Sequence, residues 1–347
     1  MPYELPPDPS TARRTRLTRW VTFGFAALLV AAVAYFAYLG YEGSRQLTDA
    51  PAPTNDCRTP ATFGWAYEPI NYDVAGDTPL QDEADPTDCV GRGTTAGDAL
   101  TSFDDVPLAG WYIPAGNGAD PAAATVVLAH GWSSNKSQLL DRAAMLHDTY
   151  NLVLFDFRNH GQSGETATTQ GVREARDLRA VLDWLEASKA PADVAVLGVS
   201  MGGASALLEA ASDPRVAALV VESTHATLAN AVQARLERSG YPLAMPGSWA
   251  VLLGTLLRTG EDASTADPAQ AIASLDERPV LLVYGGADDA IADDDGETLR
   301  AAADEAGSPV ELQICPDAGH AESAEVCAEA YRGWVLGFLD RVLGTGG

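Results

Sequence analysis

The sequence VAVLGVSMGGASALLEAAS, residues 194–212, places one serine between glycines where two different patterns meet. Residues 194–198 form a short apolar run typical of a buried strand, and the residues from Gly202 onward have the spacing of a helix. Residues 198–202 fit the G-x-S-x-G pattern, in which the serine occupies a sharp strand-to-helix turn and the glycines permit the bend. The stretch therefore predicts a strand–turn–helix unit with Ser200 at its turn.

Short apolar runs recur on both sides of this unit and alternate with segments of helical period. The predicted strands lie near 106–114, 125–130, 151–157, 217–223, 279–285 and 309–315, and the predicted helices near 138–147, 172–187, 202–211, 294–306 and 324–343. Runs that are apolar on both faces indicate strands of a buried parallel sheet. The order predicts an α/β fold with a doubly wound, mostly parallel sheet in residues 106–347.

One stretch, residues 224–277, interrupts this rhythm because it holds no predicted strand. Within it, apolar side chains recur at the spacing of an amphipathic helix: Trp249, Leu252, Leu253, Leu256 and Leu257. Two interpretations stay open. The stripe packs on the core, or it forms a lid or acyl-binding wall over the site. We call residues 224–277 the lid insertion.

The N-terminal region contains an uncharged segment, Trp20 to Gly40, that would span about 31 Å as a helix, the thickness of a bilayer core. Aromatic residues lie near both ends, and four arginines precede it: Arg13, Arg14, Arg16 and Arg19. The positive-inside rule then predicts a cytoplasmic tail (1–19), a transmembrane anchor (20–41), a tether with irregular structure (42–105) and an extracytoplasmic domain. A cleaved signal peptide is the alternative, although its apolar region is normally shorter.

Composition and cysteine content limit the partners. The net charge is −26 with two lysines, which makes nucleic acid an improbable partner, and no phosphate-binding glycine motif is present. The four cysteines lack C-x-x-C spacing, so zinc is not expected. In an oxidising compartment they predict two disulfides. We expect Cys57–Cys89 and Cys315–Cys327, with four free thiols as the alternative.

A serine hydroxyl becomes nucleophilic when a base and an orienting carboxylate support it, and such groups collect after the carboxyl ends of parallel strands. The expected acid is Asp289, after the seventh strand, with Asp288 and Glu222 as rivals. The expected base is His320, after the last strand. The other four histidines receive other roles. His147 lies on a helix as a packing or surface residue, His130 shapes a loop, and His160 and His225 follow strands and could line the site without being the base.

The developing oxyanion of an acyl-transfer reaction requires hydrogen-bond donors. The Met201 N–H follows the nucleophile at a helix N-terminus, and the Trp132 N–H follows the third strand, where Gly131 lets the chain turn. Neither a metal nor an organic cofactor is required for this chemistry.

With these motifs in order, the chain resembles the α/β-hydrolase superfamily from about Leu108 to Leu343. The matching segments are LAHGWSSN, LFDFRNHGQSG, LGVSMGGAS, LLVYGGADDAI and DAGHAES. It is most similar to the exported or membrane-anchored subgroup that resembles dienelactone hydrolases and serine aminopeptidases. The resemblance implies hydrolysis of a small-molecule ester, thioester or amide through an acyl-serine. Carboxylic-ester hydrolysis is the leading expectation. A peptidase or acyltransferase and a non-catalytic binding module are the alternatives.

Overall fold

The computed structural model describes residues 9–49, 58–71, 100–117 and 123–344. Within these ranges, strands form one sheet in the order β1-β2-β4-β3-β5-β6-β7-β8. Their bounds are β1 Glu68–Ile70, β2 Gly110–Ile113, β3 Thr125–Ala129, β4 Asn151–Phe155, β5 Val194–Val199, β6 Val216–Glu222, β7 Val280–Gly285 and β8 Val310–Cys315. The β1–β2 and β2–β4 pairs are antiparallel, and the remaining pairs are parallel. The predicted mostly parallel sheet is confirmed.

Helices cover both faces of this sheet. Their bounds are α1 Pro9–Thr48, α2 Leu140–Leu146, α3 Val172–Lys189, α4 Met201–Ala210, α5 Leu228–Arg238, α6 Ala244–Thr259, α7 Pro268–Ile272, α8 Asp295–Ala306, α9 Ser323–Val326 and α10 Ala328–Val342. Successive strand side chains point to opposite faces. Accordingly, Val127 packs in a core with α3, α4, α7 and α8, whereas Val126 and Leu128 pack in a second core with α2 and α10. This explains why the strands are apolar throughout.

The N-terminal helix α1 contains a segment, Thr18–Thr48, that is long and apolar enough to cross a membrane. Large apolar side chains from Trp20 to Val33 are exposed, whereas Leu39 is only 3% exposed because it packs against the lid insertion. The helix also extends beyond the expected end of the anchor at residue 41. The predicted tether therefore begins as helix, and its residues 68–70 form an edge strand of the sheet.

The lid insertion lies between β6 and β7 and, as predicted, contains helices rather than strands: α5, α6 and α7. Of the predicted stripe on α6, Leu252 is buried, but Trp249, Leu253, Leu256 and Leu257 are exposed. Leu252 therefore packs against neighbouring helices, as the first interpretation expects, whereas the other four side chains of the stripe do not. The buried face of α6 is turned instead toward α5 and the end of α1.

A disulfide joins Cys315 at the end of β8 to Cys327 before α10, as the sequence predicts. The other expected pair, Cys57–Cys89, lies outside the described residues.

Candidate active site

Ser200 occupies the turn between β5 and α4 and has a positive φ angle, which is unusual for a residue other than glycine. Its φ and ψ are 53° and −116°, in a region that costs of order 1–3 kcal/mol for a residue with a side chain. Neighbouring groups hold this conformation. The Ser200 N–H donates to the Glu222 carbonyl at 2.8 Å, and the Thr224 hydroxyl donates to the Ser200 carbonyl at 3.0 Å. A Cβ on Gly202 would lie 2.2 Å from the Ala129 carbonyl oxygen, so the motif glycine is required for close packing.

His320 lies in the loop after β8 and reaches Ser200. Its Nε2 is 2.9 Å from Ser200 Oγ, although 120 residues separate them along the chain. The loop is fixed next to the histidine, because the Ala321 N–H donates to the Ser223 hydroxyl at 3.0 Å. The structure thus brings together the serine and histidine that the sequence predicts.

The carboxylate beside His320 belongs to Asp288 and not to the expected Asp289. Asp288 Oδ2 and Oδ1 lie 2.9 Å and 3.1 Å from His320 Nδ1. Asp289 is exposed, one residue further along the turn after β7. The conformation of this turn determines which of the two carboxylates faces His320. Asp288 points inward, where its Oδ1 also accepts the Ala290 N–H at 2.9 Å. The expectation for Asp289 is therefore corrected to Asp288.

The protonation states of these groups follow from the contacts. Burial disfavours the Asp288 carboxylate, but the hydrogen bond and charge of His320, together with the Ala290 N–H, outweigh it and lower the Asp288 pKa. An ionised carboxylate can only accept, so the His320 proton resides on Nδ1. His320 Nε2 is then free to accept the proton of Ser200 Oγ.

Glu222, the other rival acid, has a different role. The Arg142 guanidinium binds its two carboxylate oxygens at 2.8 Å each, and the Tyr331 hydroxyl donates to Oε2 at 2.8 Å. Arg142 also donates to the Ala321 carbonyl at 2.7 Å. This buried ion pair therefore ties β6 to the loop of His320 and supports the site without supplying its acid.

The loop after β3 packs directly on Ser200. A Cβ on Gly131 would lie 3.3 Å from Ser200 Cβ, and Met201 opens α4 on the other side of the serine. The backbone of Gly131–Trp132 and the start of α4 therefore both lie next to Ser200. The N–H groups of Trp132 and Met201 therefore remain the predicted oxyanion donors.

Two buried histidines hold this loop, a function that the sequence indicated for His130 alone. His130 Nε2 accepts the Phe157 N–H at 3.0 Å, so its Nδ1 carries a proton and donates to the Gly131 carbonyl at 2.7 Å. His160 Nε2 accepts the Ser133 N–H at 3.1 Å. Burial and the nearby His160 lower the pKa of His130 to about 3. His130 is therefore neutral, and the loop is braced on both sides of Trp132.

The last two histidines also lie where the sequence suggests. His225 is buried, and burial together with the charge of His320 lowers its pKa to about 4, so it adds no positive charge near His320. Its Nε2 has no hydrogen-bond partner among the described residues. His147 stacks on Trp65 with ring centroids 4.5 Å apart, as expected of a packing residue.

The strained turn of Ser200 and the contacts that join Ser200, His320 and Asp288 lie at one edge of an α/β sheet. Residues 126–330 match the alpha/beta hydrolase family, and the chain belongs to that family.

Among its relatives, the Mycobacterium tuberculosis protein MT2364 is 30% identical over 264 residues, covering 75% of this chain and 82% of MT2364. The Salmonella typhi protein YfhR is 28% identical over 260 residues, covering 70% of this chain and 81% of YfhR. Among solved structures, the Pyrococcus furiosus esterase Pf2001 superposes with a TM-score of 0.63 at 22% identity, covering 86% of this chain and 99% of the esterase. At that identity the likeness concerns the fold.

Proposed function

We propose that this hydrolase is a membrane-anchored, extracytoplasmic serine esterase that cleaves carboxylic esters or thioesters through an acyl-serine intermediate. The observation that carries the proposal is the continuous hydrogen-bonded series from Ser200 Oγ through His320 to Asp288. Such a series activates a hydroxyl that is otherwise a poor nucleophile. The esterase Pf2001, which shares the fold, is a compatible precedent.

The geometry supports a two-step reaction. Ser200 Oγ attacks the carbonyl carbon of the substrate while His320 Nε2 takes the hydroxyl proton. Asp288 holds the imidazole in orientation and stabilises its charged form. The Trp132 and Met201 N–H groups stabilise the oxyanion, each donor contributing about 2.7–4 kcal/mol. His320 then protonates the leaving alcohol or thiol, and a water molecule, deprotonated by His320, releases the acid and restores Ser200.

The test of catalysis is the loss of activity in Ser200→Ala. We expect the wild-type protein to hydrolyse p-nitrophenyl esters and to be labelled by a fluorophosphonate probe, and the variant to do neither. Labelling of the variant, or unchanged hydrolysis, would contradict the assignment of Ser200. A wild-type protein that neither reacts with the probe nor cleaves any ester would favour the non-catalytic binding module. Parallel assays with aminoacyl anilides separate an esterase from a peptidase on the same site.

The packing of α1 supports a retained anchor over a cleaved signal peptide. A Cβ on Gly43 would lie 2.4 Å from Val251 Cγ2, and Leu39 is buried against the lid insertion. The end of α1 is therefore part of the folded domain. The Cys315–Cys327 disulfide fits an oxidising compartment, and the four preceding arginines fit a cytoplasmic N-terminus.

Intact mass and membrane fractionation test this topology. We expect the mature chain to retain residues 20–41, to resist extraction by carbonate, and to expose its hydrolase domain to protease added outside the cytoplasmic membrane. A soluble mature chain that lacks these residues would contradict the anchor.

A further inference from the structure

The outer face of α6 is apolar from the start of the helix to Leu257. No charged residue occurs from Tyr241 to Leu257, in a chain whose net charge is −26. Several large side chains on this stretch are exposed, among them Leu243, Met245, Trp249, Leu253 and Leu257, the last to 79%. Contiguous apolar surface of this kind marks an interaction site rather than ordinary solvent-facing surface.

This face is continuous with the apolar surface of α1 because the two helices pack backbone to backbone. A Cβ on Gly254 would lie 2.1 Å from the Gly40 carbonyl oxygen, and one on Gly40 would lie 2.8 Å from the Ala250 carbonyl oxygen. Near the end of α6, Arg258 donates to the Ser44 hydroxyl and the Tyr41 carbonyl, both at 3.4 Å. Just before the start of α6, the Tyr35 hydroxyl donates to the Pro242 carbonyl. The helix α6 therefore lies beside residues 35–44 of α1.

This level of α1 is the expected outer boundary of the membrane. Tyr38 and Tyr41 are exposed there, and Tyr241 and Trp249 are exposed on the lid insertion that packs against this part of α1. Tyrosine and tryptophan are enriched where a membrane meets water. A helix with one apolar face at this position is suited to lie in the interface, with that face about 5–10 Å deep.

A groove of about 850 Å³ lies between the two helices. Apolar side chains line most of it, including Leu29, Val33, Phe36, Leu253 and Leu257, and Ser44 and Arg258 lie among its few polar residues. The lining suits an acyl chain, with the guanidinium available to an anionic headgroup.

We propose that the outer face of α6 docks on the bilayer that α1 crosses, and that the groove between α1 and α6 receives an acyl chain of a membrane lipid. The inference rests on the proposed anchoring of α1. A second copy of the chain is the competing occupant. The bilayer is favoured because α1 leaves the membrane beside this face, and because the uncharged surface of α6 continues that of the anchor.

The test uses the fluorescence of Trp249 in the full-length protein, reconstituted in vesicles of phosphatidylcholine and phosphatidylglycerol with or without bromine on the upper part of the acyl chains. The background is Trp20→Phe, since Trp20 lies on the anchor. We expect brominated lipid to reduce the emission that depends on Trp249 by about half, because the indole would lie at the interface. The emission that depends on Trp249 is obtained by subtracting the spectrum of Trp20→Phe/Trp249→Phe from that of Trp20→Phe. The matched control, Trp20→Phe/Trp334→Phe, removes a tryptophan on α10 and should leave the quenched component unchanged.

Three outcomes would overturn the proposal, and they are distinguishable. Equal Trp249 emission in brominated and plain vesicles, from protein that floats with the vesicles, rejects docking while leaving the anchor intact. Absence of quenching together with a disulfide cross-link between copies at Leu253→Cys assigns the face to a second copy. Protein that does not float with the vesicles at all rejects the anchor, and docking with it.

Discussion

Asp288 Oδ2 lies 2.9 Å from His320 Nδ1, whereas the adjacent Asp289 carboxylate is exposed. We therefore expect Asp288→Asn to lower kcat by about 10⁴-fold, because an amide in place of the carboxylate favours the wrong imidazole tautomer. The matched variant Asp289→Asn should retain nearly full activity. Steady-state hydrolysis of p-nitrophenyl acetate measures both. Equal losses in the two variants would mean that the aspartates share the task.

The buried Arg142–Glu222 pair gives a second prediction. Replacing Arg142 by Met leaves the Glu222 carboxylate buried without its cation, which costs about 3–5 kcal/mol of unfolding free energy. The double variant Arg142→Met/Glu222→Gln should recover part of that loss, because it removes the unpaired charge. Chemical denaturation followed by circular dichroism compares the three proteins. A double variant no more stable than the single one would contradict the role assigned to the pair.

His130 gives a prediction about pH. Its pKa is about 3 in the folded protein, below the ordinary value of 6.5. The unfolded chain therefore binds a proton near pH 6.5 that the folded chain excludes. The neutral form of His130 therefore contributes fully to the free energy of unfolding above pH 6.5. This contribution is lost progressively as the pH falls toward 3, at up to about 1.4 kcal/mol per pH unit for each such proton.

The variant His130→Gln tests this linkage. Between pH 7 and pH 5 its unfolding free energy should decline less steeply than that of the wild-type protein, although the variant is less stable at pH 7. Parallel slopes in the two proteins would show that His130 does not contribute to acid sensitivity.

The Cys315–Cys327 disulfide encloses the loop that carries His320. We expect Cys315→Ser/Cys327→Ser to lower the unfolding free energy by about 3 kcal/mol, through the greater freedom of the unfolded chain. The rate should also fall, because the base is less firmly placed. Thermal unfolding and kcat measured on the same preparation check both effects. Unchanged kcat would show that the contacts of Arg142 and Ser223 position the loop by themselves.

The exposed face of α6 gives the last prediction. Met245→Glu/Trp249→Glu should lower the hydrolysis of a long-chain ester in vesicles by about 10-fold or more, because a charged side chain is costly at the membrane. Both residues are exposed on α6 and lie outside the lining of the groove. Hydrolysis of water-soluble p-nitrophenyl acetate should not change. The control Ala301→Glu adds a carboxylate to an exposed position of α8 and should affect neither assay. Equal activity of the α6 variant on vesicles would contradict membrane docking.

Much of the fold and site can be read from the sequence because the signals are local. The G-x-S-x-G turn and the apolar strand runs each depend on a few adjacent residues, and with few histidines in the chain His320 has little competition. Asp288 could not be separated from Asp289 in this way, since the direction of each carboxylate depends on how one turn folds back on Ala290. The exposure of the apolar stripe on α6 could not be predicted either, because periodicity shows that a helix face is apolar but does not show what covers it.

The bracing of the loop after β3 depends on hydrogen bonds between distant segments. His160 reaches Ser133 across 27 residues of sequence, and no local pattern in either segment announces that contact. The same holds for Arg142, which joins Glu222 to the backbone of Ala321.

The disulfide between Cys315 and Cys327 would make the onset of catalytic activity depend on when the bond forms. Under the proposed topology, a newly made chain in the reducing cytoplasm carries its general base on an unlinked segment. Oxidation after export then completes the brace around His320. Timing of this kind would shield the thioesters and esters of the cell interior from a nascent hydrolase.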